Sequence, residues 1–226
     1  MDKKQLLLRL RRKKMGLLIA DARQAAGRSI NDCARAMGIS QDQLKAIETG
    51  QHSPSLPELE AFSFYLNLPV EHFWGSQPYQ PLEESSKEQT PDYPHTARDE
   101  EISQLLRARR EEAGLSLEQL SQQTSLPLEA LQTYEAGEDQ IPVPELELIA
   151  QEIGLRVEDL IDPSSQPGNW RAQIGSARPL LELPDDVKKF ISQPTNLPYI
   201  ELAMRLSSLS SDRLRSIAEG ILEITL

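Results

Sequence analysis

Between Met15 and Phe73 apolar residues recur every three or four positions, in short runs separated by Gly, Ser and Pro. That period marks helices with one buried face. Gly27 closes a first helix near Ala26. Ser29, with Asp32 three residues on, starts a second that turns Cys33, Ala34 and Met37 inward. Gly38 makes the next turn, Ser40 caps a third helix with Leu44 and Ile47 on its inner side, and Gly50 ends it. Pro57–Leu66 and Val70–Phe73 read as a fourth and a short fifth helix.

The pattern then repeats. At an offset of 87, Arg23–Phe73 lies on Arg110–Leu160 without a gap, and fourteen of those 51 positions are identical. They include Gly27/Gly114, Ser29/Ser116, Leu44/Leu131, Glu48/Glu135 and Gly50/Gly137, and Pro57-Glu58-Leu59-Glu60 recurs as Pro144-Glu145-Leu146-Glu147. Internal similarity of this kind implies two copies of one small domain. Between them, Pro78, Pro81, Pro91 and Pro94 among Ser, Glu and Gln make a linker. A second irregular stretch contains Pro163, Pro167 and Gly175, and helical spacing resumes at Pro184–Gln193, Asn196–Leu209 and Ser210–Leu226. The expected architecture is all-α: a basic arm (1–14), a first domain (15–75), a linker (76–98), a second domain (99–162), a linker (163–183) and a helical C-terminal segment (184–226). Aromatic residues make up only 5% of the chain, which disfavours a β-sandwich.

Charge separates the two copies. The net charge of −11 is made of +6 in 1–14, −3 in 15–75, −2 in 76–98, −12 in 99–162 and zero in 163–226. A polyanion would be drawn to the first copy and its arm and repelled by the second.

The string Ser29-x-x-x-Cys33-Ala34-x-x-Met37-Gly38-Ile39-Ser40-x-x-x-Leu44-x-x-Ile47-Glu48-x-Gly50-x-x-x-Pro54 resembles the phage repressor/Cro-like (XRE-type) helix-turn-helix family. The second copy resembles it through Ser116, Leu120, Leu126, Leu131, Tyr134, Glu135 and Gly137. The resemblance implies five-helix domains whose third helix enters the DNA major groove. In the first copy it puts Ser40, Gln41, Asp42, Gln43 and Lys45 at the bases. Ser29, Arg23, Arg28 and His52 suit backbone contacts, and Arg11, Arg12, Lys13 and Lys14 of the arm, upstream of the matched string, suit phosphates or the minor groove. Ile30 stands where that family usually carries a glutamine that reaches a phosphate. The arm also carries Leu6, Leu7, Leu8 and Leu10, so packing as an amphipathic helix is its second reading, and a membrane surface its third.

The second copy has Pro127, Leu128, Glu129, Ala130, Gln132 and Thr133 at the groove-facing positions, with no basic residue among them. It also looks like the helix-turn-helix of bacterial cell-shape proteins, which implies a protein partner at Leu117 and Leu128. Leu214, Ile217 and Ile221 recur at helical spacing near the C-terminus and suit pairing with a second chain.

Nothing points to catalysis. There is no Gly-rich phosphate loop and no Ser/His/Asp set, and His52, His72 and His95 lack ligand spacing, so neither a metal nor a cofactor is expected. Cys33 is the single cysteine and sits at an inward position. No apolar run is long enough to span a membrane, and no leader is evident, so a cytoplasmic protein is expected. The reading is a sequence-specific regulator on double-stranded DNA, as a homodimer. A protein-interaction adaptor, with both domains binding proteins, is the alternative.

Overall fold

A computed structural model of the chain describes residues 3–74, 95–163, 165, 168 and 183–207. All regular structure among the described residues is helical. The first domain comprises α1 (Lys3–Ala25), α2 (Ile30–Met37), α3 (Gln41–Glu48), α4 (Leu56–Tyr65) and a 3-10 turn (Val70–Phe73). The second repeats it as α5 (His95–Glu112), α6 (Leu117–Thr124), α7 (Leu128–Ala136), α8 (Val143–Glu152) and a 3-10 turn (Val157–Leu160).

The helix ends follow from local chemistry. Ser29 Oγ accepts from the Asp32 amide at 3.1 Å. Ser40 forms a reciprocal box with Gln43, its Oγ accepting from the Gln43 amide (3.2 Å) while its own amide donates to Gln43 Oε1 (2.9 Å). Ser116 and Gln119 do the same at the start of α6. The inner faces meet in a core that includes Ile19, Cys33, Met37, Leu44, Leu59 and Phe62, all fully buried. Each large apolar side chain taken from water contributes about 2 kcal/mol. Gly16 lets α1 cross close over α3, since a Cβ there would lie 2.3 Å from the Ile47 carbonyl oxygen.

Two boundaries differ from the sequence reading. The arm is not a separate segment: α1 runs unbroken from Lys3 through residue 14 into the domain. Leu8 and Met15 share one buried stripe, and the Lys and Arg between them are good helix formers. The helix α5 likewise starts at His95, inside the stretch assigned to the linker.

The two domains pair about a pseudo-twofold axis. Ser55 and Pro142, which are equivalent at the offset of 87, form an antiparallel bridge, and the Val143 amide donates to the Pro54 carbonyl at 2.9 Å. The helix α1 packs on α8, and α4 packs on α5. These are the same contact seen from its two ends, as in an isologous dimer. The ends differ in charge. At one, Arg12 is ion-paired with Glu145, which also accepts from the Tyr134 hydroxyl. At the other the equivalent positions hold Asp99 and Glu58, both carboxylic, with Gln140 donating to Asp99 at 2.8 Å.

The C-terminal unit is helical as well: α9 (Asp185–Ile191), a 3-10 turn (Pro194–Asn196) and α10 (Leu197–Ser207). Asn196 Nδ2 donates to the Phe190 carbonyl at 2.9 Å, and the Phe190 and Tyr199 rings lie 6.3 Å apart. Leu197, Tyr199, Leu202 and Met204 are exposed. Leu214, Ile217 and Ile221 lie outside the described residues.

Candidate nucleic-acid interface

The capped start of α3 is the center of the site. Its outward residues Gln41, Asp42, Gln43 and Lys45 are all exposed, while Leu44 and Ile47 anchor the helix from below. Gln41 Nε2 donates to Asn31 Oδ1 at 3.0 Å, so the second residue of α2 and the first of α3 form one polar surface. Asn31 was not singled out in the sequence; its nearness to Gln41 depends on how α2 and α3 cross. Lys45 Nζ stands 3.1 Å from Asp42 Oδ1. Both are exposed, so a phosphate or a guanine edge can compete for the ammonium at little cost. Ile30 is half-buried against the core, which is where an isoleucine in place of a reaching glutamine gains most.

Other expected contacts are placed differently. Arg23, read as a backbone contact, grips Glu48 with two nitrogens (2.6 and 3.0 Å) and sends a third to the Arg28 carbonyl (3.3 Å). Both side chains of this ion pair are nearly buried. Hydrogen bonding to Glu48 raises the arginine's pKa further against the opposing effect of burial. The second domain builds the same unit from Arg110, Glu135 (2.7 Å, twice) and the Leu115 carbonyl (2.8 Å). Since the second domain has no basic groove-facing residue, the pair serves the fold. Its signal was present in the sequence as the joint repetition of Arg23/Arg110 and Glu48/Glu135.

Arg28 lies over the Tyr65 ring, 5.2 Å from its center. His52 is exposed and lines a cleft of 340 Å³ between the domains, with Gln43, Glu58, Tyr134, Asp139 and Gln140. On the arm, Arg11 pairs with Glu147 at 3.0 Å, Arg12 with Glu145, and Lys4 with Glu152. Lys14 donates to the Trp74 carbonyl at 3.4 Å. Arg11 and Arg12 therefore face α8 of the second domain rather than the α3 surface. Lys13 and Arg9 instead border the loop that leaves α3.

The second domain lacks this surface chemistry. Pro127 replaces the capping serine at the start of α7, Glu129 and Gln132 are exposed, and Leu117 and Leu128 are half-buried, with Leu117 packed against the core. The loop after α7 carries exposed Glu138 and Asp139.

A family model described as a helix-turn-helix domain matches residues 14–73 and 101–162, more than half of the chain. The chain belongs to the helix-turn-helix family, in two copies. No curated protein and no solved structure matches it. In such domains the second helix of the motif lies in the major groove with its first residues at the bases. The second helix of the motif is α3 in the first domain and α7 in the second. Among the described residues no cluster of His, Cys, Asp or Glu is placed to hold a metal ion, and no helix is long and apolar enough to cross a membrane.

Proposed function

We propose that the chain is a cytoplasmic, sequence-specific DNA-binding transcriptional regulator, with the first domain reading double-stranded DNA through α3. The observation that carries this reading is the exposed row Gln41, Asp42, Gln43 and Lys45 on a capped helix, beside Asn31 and Ser29. Amide side chains suit adenine, which both donates and accepts in the major groove, and a lysine suits guanine or phosphate. The second domain carries sixteen acidic and four basic residues over 99–162, so it contributes by pairing with the first domain or binding a protein at the Leu117/Leu128 face. The exposed apolar side chains of α10 support association with a second chain as a homodimer.

Selection from a random duplex library, with the full chain and with Gln41→Ala/Lys45→Ala, tests the central claim. One enriched sequence, lost in the variant and weakened steeply by salt, is expected. No enrichment at low salt refutes it and leaves the adaptor reading. Sedimentation of the full chain and of a chain ending before Asn196 tests the homodimer; a single-protomer mass for the full chain would rule it out.

A further inference from the structure

A cleft of 480 Å³ separates α1 from the loop that leaves α3. Arg9, Arg12 and Lys13 line one side, and Thr49, Gly50 and Gln51 the other. Gly50 lets the sides meet: its φ is +72°, and a Cβ there would lie 2.9 Å from Lys13 Cα. Arg9 and Lys13 are one helical turn apart on the same face, exposed, and in no ion pair among the described residues. Arg12 gives one nitrogen to Glu145, while its Nε is buried without a hydrogen-bond partner.

The repeat supplies an internal control. In the second domain the positions of Arg9, Arg12, Lys13 and Gln51 hold Thr96, Asp99, Glu100 and Glu138. The glycine is kept: Gly137 has φ +71°, and a Cβ on it would lie 3.7 Å from Glu100 Cγ. The seam between first helix and loop is therefore built twice on one backbone plan, once cationic and once anionic. Packing alone requires the glycine and not the charge. The cationic version occurs in the domain whose α3 presents Gln41, Gln43 and Lys45, and its loop begins where α3 ends.

We propose that this cleft is an anion site that takes a backbone phosphate of the duplex read by α3, with Arg9 and Lys13 as its charges and the side-chain carboxamide of Gln51 as a further donor. The inference rests on the DNA reading above and adds a contact that fixes register without reading bases. It follows that removing the two charges weakens binding equally on all sequences.

The test uses the full chain and its selected duplex over a series of salt concentrations. Arg9→Gln/Lys13→Gln is expected to bind every duplex about 10- to 100-fold more weakly, with the slope of log affinity on log salt shallower by about 1 to 2 and an unchanged base preference. Arg9→Lys/Lys13→Arg, which keeps the charges, is expected to restore the wild-type slope. An unchanged slope in the Gln variant overturns the site, while loss of base preference in Gln41→Ala/Lys45→Ala would still uphold the DNA reading. If the wild type binds no duplex at low salt, the site and the reading fall together. Binding of the wild type to phosphatidylglycerol vesicles, with none to duplex, would make the anion a lipid phosphate and overturn the proposal.

Discussion

Glu58 offers the most quantitative test of how the two domains are joined. It occupies the third position of α4, accepts from the Ser55 amide at 2.9 Å, and is almost fully buried. Burial pushes its carboxyl up to about 7, with the nearby Asp99 carboxylate adding to the shift and the Ser55 amide opposing it. Asp99 is itself raised, first by burial. A folded value near 7 against an ordinary value near 4.5 is a difference of about 2.5 units, or about 3 kcal/mol.

The sign follows from which state holds the proton. The folded state binds it more tightly, so this contribution is complete below about pH 4.5 and is lost as pH rises through about 7. Replacing Glu58 with Gln removes the titration and keeps a side-chain acceptor for the Ser55 amide. Urea unfolding followed by circular dichroism, at intervals from pH 4.5 to 8, isolates the effect as the difference between wild type and Glu58→Gln. That difference is expected to shift by about 3 kcal/mol in favor of the variant across this range. Parallel pH curves for the two proteins would refute the reasoning, because they would mean that Glu58 ionises as easily in the folded chain as in the unfolded one.

Three further outcomes follow from buried features. Arg23→Ala leaves Glu48 nearly buried without its partner and should cost about 3 kcal/mol by urea unfolding; a cost below about 1 kcal/mol would show that the pair is solvated. Gly16→Ala drives a methyl against the Ile47 carbonyl, so it should lower the melting temperature by several degrees, where alanine in an unobstructed helix would raise it. Cys33 is fully buried and its thiol is pushed up to about 12, chiefly by burial, so alkylation by iodoacetamide should proceed only as fast as the domain opens; rapid labelling of the native chain would contradict the packing.

What the sequence could disclose was set by the range of the interaction. Caps and turns are local, and Ser29, Ser40, Gly38, Ser116 and Gly137 act where their spacing places them. The inward positions Cys33, Leu44 and Ile47 are likewise fixed by helical period. Arg23 misled because an arginine before a recognition motif suits a phosphate and a carboxylate equally well. The joint repetition of Arg23/Arg110 and Glu48/Glu135 links the two positions, but the fold is what sets Glu48 at 2.6 Å, 25 positions along the chain. Arg11 and Arg12 were opaque for the same reason, since their partners Glu145 and Glu147 lie on the other domain. That Gln41, Asp42, Gln43 and Lys45 stand on the outer side of α3 follows from helical period, but the link of Gln41 to Asn31 and the approach of Arg9 and Lys13 to the Gly50 loop depend on helix crossings that no short-range pattern encodes.

The pseudo-twofold axis gives the divergence of the copies a physical meaning. In a pair of identical domains joined this way the two ends of the interface would be alike. Two first domains would set Arg12 against Glu58 at both ends, and two second domains would set Asp99 against Glu145 at both. The chain as it stands has one end with the ion pair Arg12–Glu145 and one with the carboxyl pair Asp99 and Glu58. Its electrostatics therefore lie between a favorable and an unfavorable symmetric pair. Apolar burial and the Ser55–Pro142 bridge must offset the carboxyl end, and the covalent connection keeps the partner at high effective concentration. None of the groove-facing positions on α7 of the second domain is basic. Its acids instead face the arm of the first, where Glu145, Glu147 and Glu152 hold Arg12, Arg11 and Lys4 on α1 and leave Arg9 and Lys13 directed to the loop after α3.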